Sequence, residues 1–156
     1  MEQVSSRMAE FMISFERSRA EGAEAAAAMY AETFLAGGPE GARCIRAEDF
    51  LKALPKRKEM FERAGCRRTE LAGVTETPLG ERYAMARTKW RMAFEREGGR
   101  EEVVEVESTF IVDFVGEAPR IIAYLAHQDA LKAATVPGNQ GAPKVTDEVA
   151  ELKARA

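Results

Sequence analysis

Between Tyr83 and Asp129 apolar and polar side chains alternate in three successive runs, separated by glycine-bearing turns. In the first run Ala84, Ala86, Thr88, Trp90, Met92 and Phe94 fall on one face, and Tyr83, Met85, Arg87, Lys89, Arg91 and Glu95 on the other. The second sets Val104, Val106, Ser108, Phe110, Val112 and Phe114 against Glu105, Glu107, Thr109, Ile111 and Asp113. A period of two marks a half-buried strand. Pairing Phe94 with Val104 and Met92 with Val106 sets Arg91 against Glu107 on the reverse side, so apolar and charge matching select one register. A slip of one residue would destroy both matches. That register requires an odd connection through Gly98, Gly99 and Arg100, a three- or five-residue loop with a glycine at positive φ. The third run, Arg120 to Ala126, is apolar on both faces and calls for cover on both.

Upstream the period changes. Val4, Met8, Phe11, Met12 and Phe15 make one helical stripe. Gly22 interrupts it, and the alanine-rich Ala23–Tyr30 continues as a second helix or a bent extension, anchored by Met29, Tyr30 and Phe34. The dense turn signal Gly37 to Gly41 joins Glu32–Ala36 to Ala42–Arg46 as a short hairpin. Glu48 and Asp49 open a helix that carries Phe50, Leu51, Leu54, Met60 and Phe61 up to Gly65. Pro55 is expected to kink or divide it, opening a second helical piece over Lys56–Ala64. Cys66–Thr77 reads as another strand, closed by a turn at Pro78–Gly80.

Strands of about a dozen residues would span roughly 40 Å if straight, twice the usual length, so the sheet must bend. The helices have no other apolar surface large enough to bury their stripes. The expected fold is therefore α+β: a strongly curved, cystatin-like antiparallel sheet, a cone, with the N-terminal helices on its concave face. Residues 1–134 form this domain and 135–156 a Pro/Gly linker with a short helical tail, Thr146 capping the helix.

Composition narrows the classes. The 156 residues, 46% hydrophobic and 31% charged, suit one globular domain. A net charge of −3 gives nucleic acid no footprint, and the Lys56, Arg57, Lys58 cluster is interleaved with acids as on a solvated helix face. One histidine and two distant cysteines, Cys44 and Cys66, offer no metal spacing. No apolar run approaches a membrane span. Charges fill the first 20 residues in place of a secretory core, so a cytoplasmic protein with reduced thiols is expected.

The order of elements, with Gly38–Gly41, the helix opening Glu48–Leu51 and the strand end Tyr-Leu-Ala-His-Gln-Asp at 124–129, resembles the nuclear transport factor 2-like superfamily, which includes SnoaL-like cyclases and ketosteroid isomerases. The resemblance implies the cone fold, frequent dimerisation through the sheet, and no cofactor. It does not imply one function, since the superfamily spans isomerases, dehydratases, cyclases and binding modules. Its isomerases use a carboxylate proton shuttle in an apolar cavity. No motif here carries those residues over.

Three residues could act in such a site: Asp113 or His127 as base, and Tyr30, projecting from a helix, as hydrogen-bond donor. Each also has a structural reading. Asp113 is a strand-end residue near Gly116. His127 alternates with Ile121, Ala123 and Leu125 and so belongs to an apolar row. Trp90, Phe110, Phe114 and Tyr124 are core residues or walls of a ligand pocket. On the reverse face Arg87, Lys89 and Arg91 with Glu105 and Glu107, beside Tyr83, Met85 and Ile111, make a solvated surface or a homodimer interface. Three functions stay open: a small-molecule-binding or accessory domain with an apolar pocket, a cofactor-independent isomerase, dehydratase or cyclase, and a dimeric protein-interaction module.

Overall fold

The computed structural model describes residues 4–135, with side chains to residue 132. The expected linker and tail beyond Thr135 lie outside the described residues. In chain order the elements are α1 (Ser6–Ala20), α2 (Ala23–Ala27), β1 (Tyr30–Gly38), β2 (Gly41–Arg46), α3 (Ala47–Arg63), β3 (Cys66–Leu79), β4 (Tyr83–Glu95), β5 (Glu101–Asp113), β6 (Arg120–Ala126) and α4 (Ala130–Thr135). The six strands form one sheet in the order β2-β1-β6-β5-β4-β3. Every neighbouring pair is antiparallel except β1 with β6. The architecture is α+β, with an open sheet and helices on one face.

The alternating pattern explains the layering. The inner row of β4 is buried throughout, with Ala84, Ala86, Thr88 and Phe94 at 0% exposure. Against it pack Met8, Phe11, Met12 and Phe15 of α1 and Phe50 and Ala53 of α3. Ser5 caps α1, its side chain accepting from the Met8 amide at 3.3 Å. Gly22, at φ +110°, ends the N-terminal helical run as expected and starts α2. Pro39 and Glu40 turn the β1–β2 hairpin between the paired Gly38 and Gly41.

Four local expectations are corrected. The β4–β5 register lies two residues from the one the pattern favoured: Met92 pairs with Val104, Trp90 with Val106 and Arg91 with Glu105. A shift of two keeps every side chain on its face and still opposes unlike charges, Arg91 Nε lying 3.2 Å from Glu105 and Arg87 Nε 2.7 Å from Glu107. The turn decides between the two registers. Arg96–Arg100 connect the strands, with Gly98 and Gly99 at φ +78° and +77° and the Arg96 amide donating to Arg100 O at 2.7 Å. Tyr30 opens β1 beside Ile121 of β6 and does not project from a helix. Pro55 is exposed and lies inside an unbroken α3, where its ring costs the helix only the bond to the Leu51 carbonyl one turn back. Finally, β3 continues through Pro78 to Leu79, because an edge strand tolerates proline.

A bulge between β5 and β6 settles which way the last strand faces. Val112 pairs with Ile121 but Ile111 with Ala123, so Ile122 is supernumerary. Ile121 faces the core at 0% exposure, whereas Ala123 and Leu125 follow Ile111 and Thr109 on the outer face.

Candidate functional site

The inner sheet face and α1, α2 and α3 enclose a cavity of about 850 Å³. Its walls are aromatic: Phe15 from α1, Phe50 from α3, Tyr30 and Phe34 from β1, Trp90 from β4 and Tyr124 from β6. The Tyr30 ring centroid lies 4.6 Å from Phe34 and 4.7 Å from Phe50, and 6.4 Å from Tyr124. Such tilted and edge contacts hold the rings in place and leave their free faces to the cavity. The small side chains of α2, Ala23 and Ala26, border the opposite side and leave it open.

Charged side chains of α1, α3 and β3, among them Arg19, Arg57 and Glu62, border the cavity, while the polar groups set into its aromatic wall are few, and each is held. Thr88 Oγ1 donates to Ser108 O at 2.9 Å and accepts from Trp90 Nε1 at 2.9 Å. Ser108 Oγ lies 2.8 Å from the same threonine oxygen. Either hydroxyl can donate in that contact, and Ser108 lines the cavity. Gln128 Oε1 accepts the Glu107 amide at 2.8 Å, which orients the carboxamide at the cavity edge.

Burial holds the Tyr30 phenol far above its ordinary pKa; Tyr124 adds to that, while Arg57 and Arg19 oppose it. Tyr30 is thus a neutral donor at every physiological pH. Asp129 is 1% exposed, and its Oδ1 caps α4 by accepting the Lys132 amide at 2.9 Å. Its Oδ2 has no hydrogen-bond partner among the described residues, and burial raises its pKa above the usual carboxylate range, against the pull of backbone amides, Arg57 and Lys132. The folded state therefore binds this proton more tightly than the unfolded chain does. Ionised Asp129 destabilises the fold at neutral pH, and that cost disappears as pH falls through the raised value toward about 4. Asp129→Asn keeps the Oδ1 cap and removes the charge, so it should add about 1 kcal/mol at pH 7, with the gain shrinking toward pH 4. Urea unfolding at the two pH values checks this. A loss at pH 7, or a gain equal at both, would refute it.

No protein-family model and no curated protein sequence matches the chain. Solved structures do. A nuclear transport factor 2-like protein of unknown function from Shewanella oneidensis superposes with a TM-score of 0.60 at 15% identity, over 78% of this chain and 97% of its own. The chain has the nuclear transport factor 2-like fold. A ketosteroid isomerase-like protein from Erwinia carotovora atroseptica gives a TM-score of 0.56 at 12% identity, over 78% and 93% of the two chains. The beta subunit of benzoate 1,2-dioxygenase from Burkholderia mallei gives 0.57 at 16%, over 80% and 90%. At such identities the likeness is one of fold and transfers no residue roles.

Within this nuclear transport factor 2-like cone the singled-out residues separate. Tyr30, Trp90 and Tyr124 border the cavity. Phe110 lies beneath its floor at 0% exposure, 5.1 Å from both Phe15 and Tyr124. Phe114 packs away from it, on Phe11 and under Arg7, whose guanidinium sits 4.2 Å from the ring centroid. The two candidate bases are not among the lining residues. His127 is exposed and its Nε2 lies 2.7 Å from Thr109 Oγ1 on the outer face, the side to which the β5–β6 bulge directs it. Asp113 makes a two-point pair with Arg82, at 3.0 and 2.9 Å, and accepts the Val115 amide. Those bonds hold its carboxyl below the usual range, the wrong direction for a base tuned to neutrality. Sequence reasoning did not single out Ser108, although alternation sets it in the apolar row of the second run, nor Gln128, for which alternation offers no signal. It also missed Arg19 and Arg57, which do carry one: they fall on the apolar stripes 8, 12, 15, 19 and 50, 54, 57, 61. Among the described residues no three His, Cys, Asp or Glu side chains cluster for a metal, and no helix is long and apolar enough to cross a membrane.

Proposed function

We propose that this protein is a small-molecule-binding module whose ligand occupies the cone cavity. The observation that carries the reading is the cavity itself: about 850 Å³, walled by Tyr30, Phe34, Phe50, Trp90 and Tyr124, with Ser108 and Gln128 as polar points in that wall and charged side chains of α1, α3 and β3 along its border. That size and lining are those of ligand sites in general. An acid–base enzyme has less support, since His127 and Asp113 sit on the outer face and Asp129 is not among the lining residues. A thermal-shift screen with apolar carbonyl, steroid-like and polyketide-like compounds tests the reading. A ligand at about 100-fold over its Kd should raise the melting temperature on the order of 5–10 °C. No shift from any class would count against it.

The outer face supports a second element of the reading, a homodimer. Leu35, Ala123, Ile111 and Met85 form one transverse row across β1, β6, β5 and β4. Leu125, 38% exposed, adjoins it, and the Arg87–Glu107 and Arg91–Glu105 pairs border it. A two-fold axis through such a face would set apolar row on apolar row and let the flanking charges meet across the interface. Sedimentation equilibrium at micromolar concentration should give twice the 17.2 kDa chain mass, and Ile111→Glu should return it to one. A wild-type monomer would remove the dimer.

A further inference from the structure

Beside Ser108 the cavity is edged by a carboxamide with only part of its hydrogen-bonding capacity committed. The last paired residues of β5 and β6 are Ser108 and Ala126. Just past them the chains stay joined by two further bonds: the His127 amide donates to Glu107 O at 2.9 Å, and the Glu107 amide donates to Gln128 Oε1 at 2.8 Å. A backbone amide can only donate, so the carboxamide must turn its oxygen toward it; the flipped group would set donor against donor. The end of the sheet therefore fixes the orientation of this side chain. Its other polar atom, Nε2, has no acceptor among the described residues, although Gln128 is half-buried and borders the cavity.

That donor differs in kind from the other polar points of the aromatic wall. The hydroxyls of Tyr30, Tyr124 and Ser108 can each donate or accept, and so fit a partner of either sign. The Trp90 N–H is already given to Thr88 Oγ1 at 2.9 Å. Of these groups Gln128 Nε2 alone is both uncommitted and restricted to donating. It thus sets the sign of the polar group that a ligand can bury beside it: a second donor would leave N–H groups unpaired on both sides, whereas an acceptor pairs them. Charge follows from the same surroundings. Among the described residues no cationic side chain bonds to Gln128 or Ser108, so an anionic group buried here would lack the partner its desolvation demands, and a cationic group would again set donor against donor.

We propose that Gln128 is the specificity-determining residue of the cavity, and that it selects a neutral, apolar ligand carrying a hydrogen-bond acceptor, a carbonyl oxygen or an aromatic ring nitrogen, placed against Nε2. This rests on the binding function proposed above and adds the sign and charge of the ligand's polar group. No bond is made or broken.

Calorimetric titration of the full chain with three flat tricyclic compounds of one shape tests it: fluorenone carries an acceptor, carbazole a donor and fluorene neither. The three differ in their transfer from water, so the quantity read is the change each undergoes on substitution. Gln128→Glu keeps an oxygen for the Glu107 amide and removes the N–H donor. It should weaken fluorenone about fivefold, the usual worth of one neutral hydrogen bond, change fluorene less than about twofold, and tighten carbazole, whose N–H then meets a carboxylate oxygen. Retained fluorene binding also shows the cavity intact. In the wild type the carbonyl stretching band of bound fluorenone should lie below its position in hexane and return toward it in the variant, a shift that a merely structural Gln128 would not produce. Should the new carboxylate disturb the cavity so that fluorene weakens as well, Gln128→Met, which adds no charge, is read in the same way for fluorenone. Fluorenone weakened no more than fluorene, or a wild-type band at its hexane position, overturns the inference while the binding function stands. Binding of none of the three to the wild type removes both.

Discussion

Phe110→Ala is expected to cost about 3–5 kcal/mol of folding stability, the range for deleting a buried aromatic ring. Phe110 is fully buried on the inner face of β5, and its ring lies 5.1 Å from Phe15 above and from Tyr124 beside it. Removing it leaves a void beneath two residues that line the cavity, and neither can drop into the space without abandoning other ring contacts. Phe15 is tied to Trp90 and Tyr30, and Tyr124 to Tyr30. A loss of this size is a large part of the roughly 5–15 kcal/mol that holds a domain together. It should lower the melting temperature on the order of 10 °C. Calorimetry or urea unfolding measures it. A cost below about 1 kcal/mol would mean that the floor repacks freely and is not the rigid wall described.

Gly65→Ala should be nearly as damaging, for a different reason. Gly65 joins α3 to β3 at φ +102°, and a Cβ there would stand 2.6 Å from Glu95 O. The obstructing atom is backbone, and it cannot swing aside, because the Glu95 amide donates to Gly65 O at 2.8 Å and fixes the two chains together. Conformational strain and overlap together should cost about 2–4 kcal/mol. Gly80 provides the control: its φ is +75°, but nothing lies within 4 Å of an added Cβ. Gly80→Ala should therefore show only the conformational part, about 1 kcal/mol. Equal losses at the two positions would show that the contact with Glu95 carries no weight.

The alternation of β4 and β5 made their inner and outer faces legible, and from them the curved sheet and the helices on its concave side. Periodicity is blind to a slip of two, however. Arg91 finds a glutamate at 105 as readily as at 107, so the register belonged to the hydrogen bonding of the Arg96–Arg100 turn. The same blindness leaves the facing of the last strand open. Ile121, Ala123, Leu125 and His127 form one row in the sequence, but the extra residue at Ile122 moves Ile121 inward and leaves the others outward, and with them the candidate base. The alanines that precede Tyr30 favour a helix there. Pairing with Ile121 made it the start of a strand, a tertiary contact that local propensity does not contain. The cavity's aromatic walls could be named in part, since Trp90 and Tyr124 lie in apolar rows. Its cations could have been found by asking why two helical stripes include an arginine.

The claim that the cone cavity is a ligand site is tested most directly through Trp90, the one tryptophan in the chain and part of the wall. Its emission should change saturably, with one site per chain, when the compounds that shift the melting temperature are titrated in. In Ala26→Phe, where a ring replaces the methyl that borders the cavity from α2, the protein should fold and the response should vanish. Saturable binding that is undiminished in Ala26→Phe, or no saturable response from any compound in the wild type, would contradict the account.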